Sequence, residues 1–250
     1  MKLSIIICVY NERDTILTVL EAVRAVYLGR DWEKEIIIVD NCSTDGTREI
    51  LAELDLPEGQ VIFQPRNLGK GTSVRTGIAH ATGDYIIIQD ADLEYDPAEY
   101  PLFLERIAAT ETEGGNRQVA AVYGSRTLGG RAVYKYVTNY LGVRFLTGLT
   151  NLLFGARLTD VATAAKMVRT DVVKSLHLTG AGFDLDFELT DKILRAGYEI
   201  VEVPVTYRPR TIAEGKKIRP WDGLWALKVI VRDRLLPMRK IRGDTESGDC

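Results

Sequence analysis

The chain has 250 residues, of which 46% are hydrophobic and 27% are charged, and its formal net charge is −3. This composition is typical of a globular protein with a substantial core, and it excludes a disordered, collagen-like or disulfide-scaffold protein. The weakly negative charge also argues against a general nucleic-acid binder. Three widely separated cysteines predict a reducing compartment, which we interpret as the cytoplasm.

Charge is distributed unevenly along the chain. Residues 206–242 contain eleven basic and three acidic residues and carry a net charge of +8. Residues 1–205 carry −8, and residues 243–250 carry −3. We call residues 206–242 the cationic arm, and such an arm is suited to an anionic partner.

The first half of the chain alternates apolar, β-rich runs with stretches of helical spacing. Strands are predicted at Leu3–Val9, Glu35–Val39, Val61–Phe63 and Asp84–Ile88, and helices at Thr15–Tyr27, Thr47–Leu54 and Gly71–Ala81. Continuous apolar strands separated by helices predict a mostly parallel sheet covered on both faces. Ligands bind such sheets at the carboxyl ends of the strands. The polar residues at those ends are Asn11-Glu12, Asp40-Asn41 and Asp90-Ala91-Asp92.

The second half is less regular. It predicts strands at Ala120–Tyr123 and Glu199–Tyr207 and helices at Phe183–Ala196 and Trp221–Leu236. Between them, an apolar stripe on one helical face predicts core packing; it comprises Phe145, Leu146, Leu149, Leu152 and Leu153. The apolar run at the N-terminus is too short for a signal peptide. The sequence contains no run of eighteen uncharged apolar residues, so it predicts no membrane-spanning helix.

Two carboxylates, Asp90 and Asp92, directly follow the fourth predicted strand. Placed one residue apart at a strand end, they can share a hard divalent cation whose other ligands are water and a diphosphate. Mg²⁺ or Mn²⁺ would there neutralise a diphosphate leaving group. An isolated pair of this kind is also explained as a solvated acidic turn. The accompanying motifs therefore decide between a metal site and such a turn.

Those motifs together resemble glycosyltransferase family 2, and most closely its dolichol/polyprenyl-phosphate hexosyltransferase branch. The resemblance covers about residues 3–210 and departs at Cys8 and Val9, where the family usually has a proline. It implies an α/β fold of the GT-A (Rossmann-like) nucleotide-sugar-binding type. The matching segments are residues 4–12, 36–47, 67–71 with 77 and 80–85, and 90–93.

The resemblance assigns roles position by position. It implies that Asp40 binds the nucleotide base, that Asp92 binds the metal with help from Glu94, and that Asp90 faces both ribose and metal. The full nucleotide-sugar set is Tyr10, Asn11, Glu12, Asp40, Asn41, Lys70, Asp90 and Ala91. Taken singly, Lys70 and Glu94 are better explained as structural residues, and Asp40 could simply cap a helix.

The second half resembles the branch's acceptor region. Arg126, Arg131 and Arg210 are implied to meet the acceptor's phosphate, for which guanidinium groups are suited because they donate in pairs and stay charged. Asp160 is our candidate for deprotonating or orienting the acceptor, or it is a buried structural acid. We list Asp92, Asp160, Arg126 and Arg210 as the catalytic set. The matching segments depart from the branch at Ala164-Ala165 and at a lysine of the basic loop 214–218.

An acidic run opens the helix predicted at Phe183–Ala196. Residues 182–188 contain Asp184, Asp186 and Glu188. One or two of these acids could approach the hydroxyls of the transferred sugar, and the others would interact favourably with the positive end of the helix.

The end of the cationic arm predicts a membrane-surface helix, because Trp221, Leu224, Trp225, Val231 and Leu235 fall near one face among basic residues. Ordinary packing on the domain explains it equally well. We divide the chain into a catalytic domain at 1–219, a basic amphipathic segment at 220–242 and an acidic tail at 243–250.

The combined prediction is an enzyme on the cytoplasmic membrane face that transfers a hexose, with inversion, from a GDP- or UDP-sugar to a polyprenyl or dolichyl phosphate. The same fold acting on a water-soluble or polysaccharide acceptor is the alternative. A catalytically silent nucleotide-sugar-binding protein is a remote one.

Overall fold

The computed structural model describes residues 1–113, 118–128, 137–210 and 220–236. Within these ranges the strands are β1 Lys2–Val9, β2 Glu33–Asp40, β3 Gly59–Phe63, β4 Tyr85–Asp90, β5 Val119–Ser125, β6 Lys166–Arg169 and β7 Glu199–Pro204. They form one sheet in the spatial order β3-β2-β1-β4-β6-β5-β7. All pairings are parallel except those of β6, which is antiparallel to both neighbours. The predicted mostly parallel sheet is confirmed.

Helices cover both faces of the sheet. They are α1 Ile16–Ala25, α2 Thr47–Ala52, α3 Lys70–His80, α4 Tyr100–Glu113, α5 Val137–Phe154, α6 Thr170–Ser175, α7 Leu185–Arg195 and α8 Pro220–Leu235. Alternate residues of β1 point to opposite faces: Ile5 and Ile7 pack with α1, α2 and α4, and Ile6 packs with the layer that contains α3, α7 and α8. The two layers explain why the central strands are apolar throughout.

The register of the parallel strands places the predicted polar residues side by side. Asp40 pairs with Val9, and Asp90 pairs with Cys8. The carboxyl ends of β1, β2 and β4 therefore meet at one edge of the sheet, as the sequence predicts.

Several elements differ from the prediction. The sequence analysis missed β6, a four-residue strand that begins with a lysine, and it missed α4 and α6. The last strand ends at Pro204 rather than Tyr207, because the neighbouring strand β5 ends at Ser125, the partner of Pro204.

The apolar stripe on α5 also differs in part. Leu146 is buried, whereas Phe145 is 61% and Leu152 is 80% exposed. The prediction of core packing is thus wrong for these two residues, because α5 packs with only one side against α7 and α8. None of the helices in the described part of the chain is long and apolar enough to span a bilayer.

Candidate active site

A cavity of about 460 Å³ opens at the carboxyl edge of the sheet. Ten of the predicted site residues line it: Tyr10, Glu12, Asn41, Lys70, Asp90, Ala91, Asp92, Glu94, Arg126 and Arg210. Three others, Asn11, Asp40 and Asp160, are not part of this lining. Arg131 falls outside the described residues. The structure thus brings together side chains from six separate sequence segments.

The loop after β1 presents Glu12 to the cavity. Asn11 adopts a left-handed backbone conformation with φ of 51°, and its side-chain oxygen accepts a hydrogen bond from the N–H of Thr44 at 2.8 Å. The N–H of Glu12 in turn donates to the hydroxyl of Thr47 at 3.0 Å. Asn11 therefore shapes the loop, and Glu12 supplies the carboxylate that faces the cavity.

Asp40 is fully buried at the end of β2. Its carboxylate accepts hydrogen bonds from Arg48 at 3.0 Å and from the N–H of Ser43 at 3.2 Å. Its neighbour Asn41 lines the cavity instead and is fixed by the amide of Asn67 at 3.0 Å. The contact of Asp40 with a nucleotide base stays a prediction, and Asn41 is the polar residue of this strand end that lines the cavity.

Lys70 and Asp90 form an ion pair of 2.7 Å at one side of the cavity. Lys70 is the first residue of α3 and follows Gly69, whose φ is 87° and where a Cβ would overlap the carbonyl of Ala181. Burial lowers the pKa of Lys70, but the carboxylates of Asp90 and Asp186 outweigh it and raise that pKa well above its usual value. Lys70 is therefore a permanent cation in the cavity.

Arg210 joins two acids that come from different strand ends. Its guanidinium lies 2.9 Å from Glu12 and 3.1 Å from Asp92. The backbone N–H of Arg210 donates to the carboxylate of Glu94 at 2.7 Å, and the hydroxyl of Tyr207 donates to the same carboxylate at 2.8 Å. Glu94 thus holds residues 207–210 beside the cavity, and it also lines the cavity itself.

Asp92 has an unusual acidity. Burial, together with the charges of Asp90 and Glu94, raises its pKa to about 7, against the opposing effect of Arg210. Among the described residues, no group of three or more His, Cys, Asp and Glu side chains is arranged to hold a metal ion by itself. Any cation bound at Asp92 would need further oxygen ligands from a bound molecule or water.

Arg126 and Asp160 form a second ion pair, at the end of β5. The Asp160 carboxylate is fully buried and accepts two hydrogen bonds from the guanidinium, at 2.6 and 2.8 Å, and a third from the Arg126 N–H at 3.1 Å. Asp160 reaches the cavity only through Arg126, which lines it. This geometry favours a positioning role over that of a base in contact with the acceptor, and the role of Asp160 stays a prediction.

Of the late acidic run, Asp186 alone lines the cavity. Its carboxylate lies 3.3 Å from the fully buried ammonium of Lys166. Glu188 instead accepts hydrogen bonds from the N–H groups of Thr179 and Gly180. One acid of this run therefore faces the ligand space, and the other fixes a loop.

The site list drawn from the sequence omitted several lining residues. They are Cys8, Val9, Asn67, Gly69, Ser73, Tyr95, Ala162, Ala164, Phe183, Asp186 and Tyr207. Phe183 and Asp186 belong to the acidic run 182–188, and Tyr207 ends a predicted strand. The sequence therefore contained a signal that could have placed these three residues near the site. Tyr95 follows the acidic pair, and its ring packs 5.1 Å from the ring of Tyr207.

The cavity combines cations and acids. Lys70, Arg126 and Arg210 are positioned donors for phosphate oxygens, and Asp92 and Asp186 are acceptors for hydroxyl groups or a cation. The Nε of Arg210 is buried and has no hydrogen-bond partner in the described part of the chain, so it can donate to a ligand. This arrangement suits a phosphorylated, hydroxyl-rich ligand.

The sheet and the cavity at its carboxyl edge define a nucleotide-binding α/β domain. The chain belongs to glycosyl transferase family 2, whose family model matches residues 4–176. It is 27% identical over 211 residues to the low-salt glycan biosynthesis hexosyltransferase Agl6 of Haloferax volcanii. That match covers 83% of the chain and 48% of the relative, so the chain spans about half the length of this protein.

Solved structures share the fold. Glucosyl-3-phosphoglycerate synthase of Mycobacterium tuberculosis in complex with UDP superposes with a TM-score of 0.66 at 20% identity, covering 94% of this chain and 81% of that one. S. aureus TarS 1–349 in complex with UDP-GlcNAc gives a TM-score of 0.61 at 18% identity, covering 93% and 66%. The predicted GT-A fold is confirmed.

Proposed function

We propose that the chain is a glycosyltransferase that uses a nucleotide diphosphate sugar and transfers its hexose to a polyprenyl or dolichyl phosphate. The single observation that carries the proposal is the cavity itself. It holds Asp90 and Asp92, with the guanidinium of Arg210 3.1 Å from Asp92, and it also holds the guanidinium of Arg126. Carboxylates that can bind a diphosphate through a cation, together with guanidinium groups that can bind phosphates directly, suit a donor with a diphosphate and an acceptor with a phosphate.

A divalent cation fits this chemistry. Asp92 is a buried carboxylate whose neighbours Asp90 and Glu94 add negative charge, and oxygen donors are what Mg²⁺ and Mn²⁺ prefer. Solved relatives of the same fold were crystallised with UDP and either Mg²⁺ or Mn²⁺. Asp92 would hold the cation, with Asp90 beside it. When bound, the cation would stabilise the charge that develops on the leaving diphosphate.

The protein's own groups then position the two substrates. Lys70 and the buried Nε of Arg210 would donate to donor phosphate oxygens, and Asp186 would accept hydrogen bonds from sugar hydroxyls. Arg126, oriented by Asp160, would hold the acceptor phosphate. That phosphate is already ionised near neutral pH, so direct attack on the anomeric carbon requires no protein base and inverts the configuration.

A water-soluble phosphorylated acceptor is the second candidate. A glucosyl-3-phosphoglycerate synthase of this fold was crystallised with UDP-glucose and phosphoglyceric acid. Arg126 could bind such a phosphate equally well. A lipid acceptor also implies a position at the cytoplasmic membrane face, which we include in the proposal.

The decisive experiment is a panel of GDP- and UDP-sugars with Mg²⁺ or Mn²⁺, each incubated with a polyprenyl phosphate or with phosphoglyceric acid, and scored by product mass. We expect a glycosyl polyprenyl phosphate and a rate roughly a hundredfold lower in Asp92→Asn. Asp171→Asn, at an exposed acid, is the matched control. Glycosylation of the soluble acceptor alone would refute the lipid specificity, and no product from any pair would refute the activity.

A further inference from the structure

Helix α8 has apolar side chains on two faces. Ala226, Val229 and Ile230 are buried in the core that α8 shares with α7. On another face, Leu224, Trp225, Val231 and Leu235 are exposed, and Leu235 is 76% exposed. A helix that is apolar on two faces normally has a partner on both. Only one of these faces is packed within the described part of the chain.

Helix α5, which packs against α8, has the same property. Leu146, Thr147 and Thr150 are buried. Exposed apolar residues follow each other at helical spacing along the outer side, and they are Val137, Leu141, Phe145 and Leu152. We call the exposed apolar residues of the two helices the α5/α8 face. Because exposed apolar patches of monomers are usually small, two packed helices that each expose several large apolar side chains indicate an interaction surface.

The charges on this face have one sign. Arg144 on α5 and Lys228 and Arg234 on α8 are exposed. Helix α5 contains no acid, and Asp233, the one acid of α8 whose side chain the structure describes, is buried. The face therefore differs from the chain as a whole, which has more acidic than basic residues.

The sign of the charges distinguishes the possible occupants. A second copy of the chain in a two-fold interface would oppose this face to itself and place Lys228 and Arg234 near the same cations of the other copy. Like charges facing each other destabilise an interface. An anionic lipid surface instead attracts the basic side chains and accepts the apolar ones.

Trp225 and Lys228 fit a lipid surface in a further respect. The Lys228 ammonium lies 4.7 Å from the centre of the Trp225 ring, and Trp225 is exposed. Tryptophan is enriched at the boundary between headgroups and acyl chains, where its ring is apolar and its N–H reaches polar groups. Lysine stems extend along such a boundary with the ammonium in the headgroup layer.

We propose that the α5/α8 face is a membrane-docking surface, and that both helices lie in the interfacial layer of an anionic bilayer. Sequence reasoning assigned such a role to α8 alone and placed α5 in the core. The structure exposes large apolar side chains on α5 as well as on α8. The inference depends on the proposed function in one respect only: docking would serve to bring the cavity to a lipid-borne acceptor.

The test is co-sedimentation of the full chain with vesicles, in the absence of donor and acceptor. Vesicles of phosphatidylcholine alone are compared with vesicles of phosphatidylcholine mixed with phosphatidylglycerol. We expect binding to the mixed vesicles and a blue shift of tryptophan emission that Trp225→Phe largely removes. Phe145→Ser and Leu152→Ser should each weaken the partition roughly tenfold, because each removes an exposed apolar side chain that would insert into the bilayer.

Charge and fold are controlled separately. Lys228→Gln and Arg234→Gln should each weaken binding about fivefold at low salt, and the difference should shrink as salt is added. Tyr27→Ser, at a 71% exposed aromatic residue beyond α1 on the opposite layer, should bind as the wild type does. Circular dichroism checks that all variants fold.

Three results would overturn the proposal. They are no binding of the wild-type chain to mixed vesicles, equal losses in the Tyr27 and Phe145 variants, or a dimer in light scattering that Phe145→Ser converts to a monomer. Failure of the proposed function gives a different result. If transfer to a polyprenyl phosphate occurs in detergent without vesicle binding, the docking surface is refuted and the function stands; vesicle binding without transfer refutes the function alone.

Discussion

The guanidinium of Arg210 lies 3.1 Å from the carboxylate of Asp92, and the same guanidinium is 2.9 Å from Glu12. Arg210 thus supplies a positive charge between Glu12 and Asp92, whose negative charges would otherwise repel each other. A divalent cation at Asp92 would supply positive charge at the same carboxylate. Arg210 and the cation would therefore compete for Asp92, and a bound cation would release Arg210 to bind a phosphate.

Arg210→Gln tests this competition. Removing the guanidinium leaves the negative charge of Glu12 and Asp92 uncompensated and raises the pKa of Asp92 further, so the comparison is made at pH 9, where the carboxyl is ionised. There Mn²⁺ should bind the nucleotide-free chain about tenfold more tightly, the equivalent of about one pKa unit of charge interaction. The rate of sugar transfer should nevertheless fall, because the phosphates of the nucleotide sugar lose the hydrogen bonds donated by Arg210. Mn²⁺ affinity is measured by electron paramagnetic resonance, independently of activity.

Arg208→Gln is the matched control. Arg208 stands two residues earlier, its side chain is 73% exposed and its nearest acid, Asp96, is 3.8 Å away. Its substitution should leave Mn²⁺ affinity unchanged. If Arg210→Gln binds Mn²⁺ no better than Arg208→Gln, the two cations do not compete.

The acidity of Asp92 predicts a pH dependence of cation binding. The pKa of Asp92 is raised to about 7 by burial and by Asp90 and Glu94, so below pH 7 the carboxyl is increasingly protonated. A protonated carboxyl is a poor ligand, and Mn²⁺ affinity should therefore rise as the pH increases through 7 and then level off. Titrations of Mn²⁺ at several pH values measure the midpoint, and Asp92→Asn should abolish it. A midpoint near pH 4 would contradict the raised pKa.

The ion pair of Arg126 and Asp160 predicts two separate effects of one substitution, a lower free energy of unfolding and a higher KM for the acceptor. Asp160→Asn leaves Arg126, which is 8% exposed, without its counter-charge, and should destabilise the fold by about 3–5 kcal/mol. Because Arg126 loses its orientation, the KM for the acceptor should rise while donor affinity is kept. Urea unfolding and donor titrations measure the two effects.

Asp171→Asn controls the stability measurement. Asp171 pairs with Arg169 at 2.6 Å, but its side chain is 65% exposed. Exposed pairs contribute about 0–1 kcal/mol, so this variant should unfold nearly as the wild type does. A catalytic defect of Asp160→Asn confined to kcat, with an unchanged KM for the acceptor, would speak against the positioning role.

The contacts of this site show what the sequence could predict. Asp90 and Asp92 were found because parallel strands bring their carboxyl ends to one edge, so a strand prediction locates the residues that follow it. The pairing of Arg126 with Asp160 joins residues 34 positions apart across a stretch without clear periodicity. No local pattern encodes such a contact, since it depends on where β6 enters the sheet.

The same limit applies to α5 and α4. The spacing of Phe145 and Leu152 predicts an apolar face correctly, but periodicity gives no partner for that face. Whether it is buried is decided by α8, some eighty residues later. Helix α4 was overlooked because Leu102, Phe103 and Ile107 lie in a region with charged and small residues between them, which weakens the periodic signal.

A buried acid between α7 and α8 predicts a pH-dependent stability. Asp191 is fully buried, neither of its carboxylate oxygens has a hydrogen-bond partner in the described residues, and Asp233 faces it from α8. Burial, and then the charge of Asp233, raises the pKa of Asp191 to about 8. The folded chain therefore binds a proton that the unfolded chain releases near pH 4, so stability should fall as the pH rises from about 4 to 8 and level off above that.

Asp191→Asn should remove most of this slope and stabilise the chain at pH 9 by at least about 1.4 kcal/mol, the equivalent of one pKa unit. The amide is uncharged at every pH and is similar in size to the protonated acid. Urea unfolding at pH 6 and pH 9 gives the free energies, with Asp171→Asn as the exposed control. Lys166, Arg195 and Arg232 also act on Asp191 and lower its pKa. If they keep the carboxylate charged in the fold, the wild type and Asp191→Asn will show the same pH slope, and the raised pKa will be refuted.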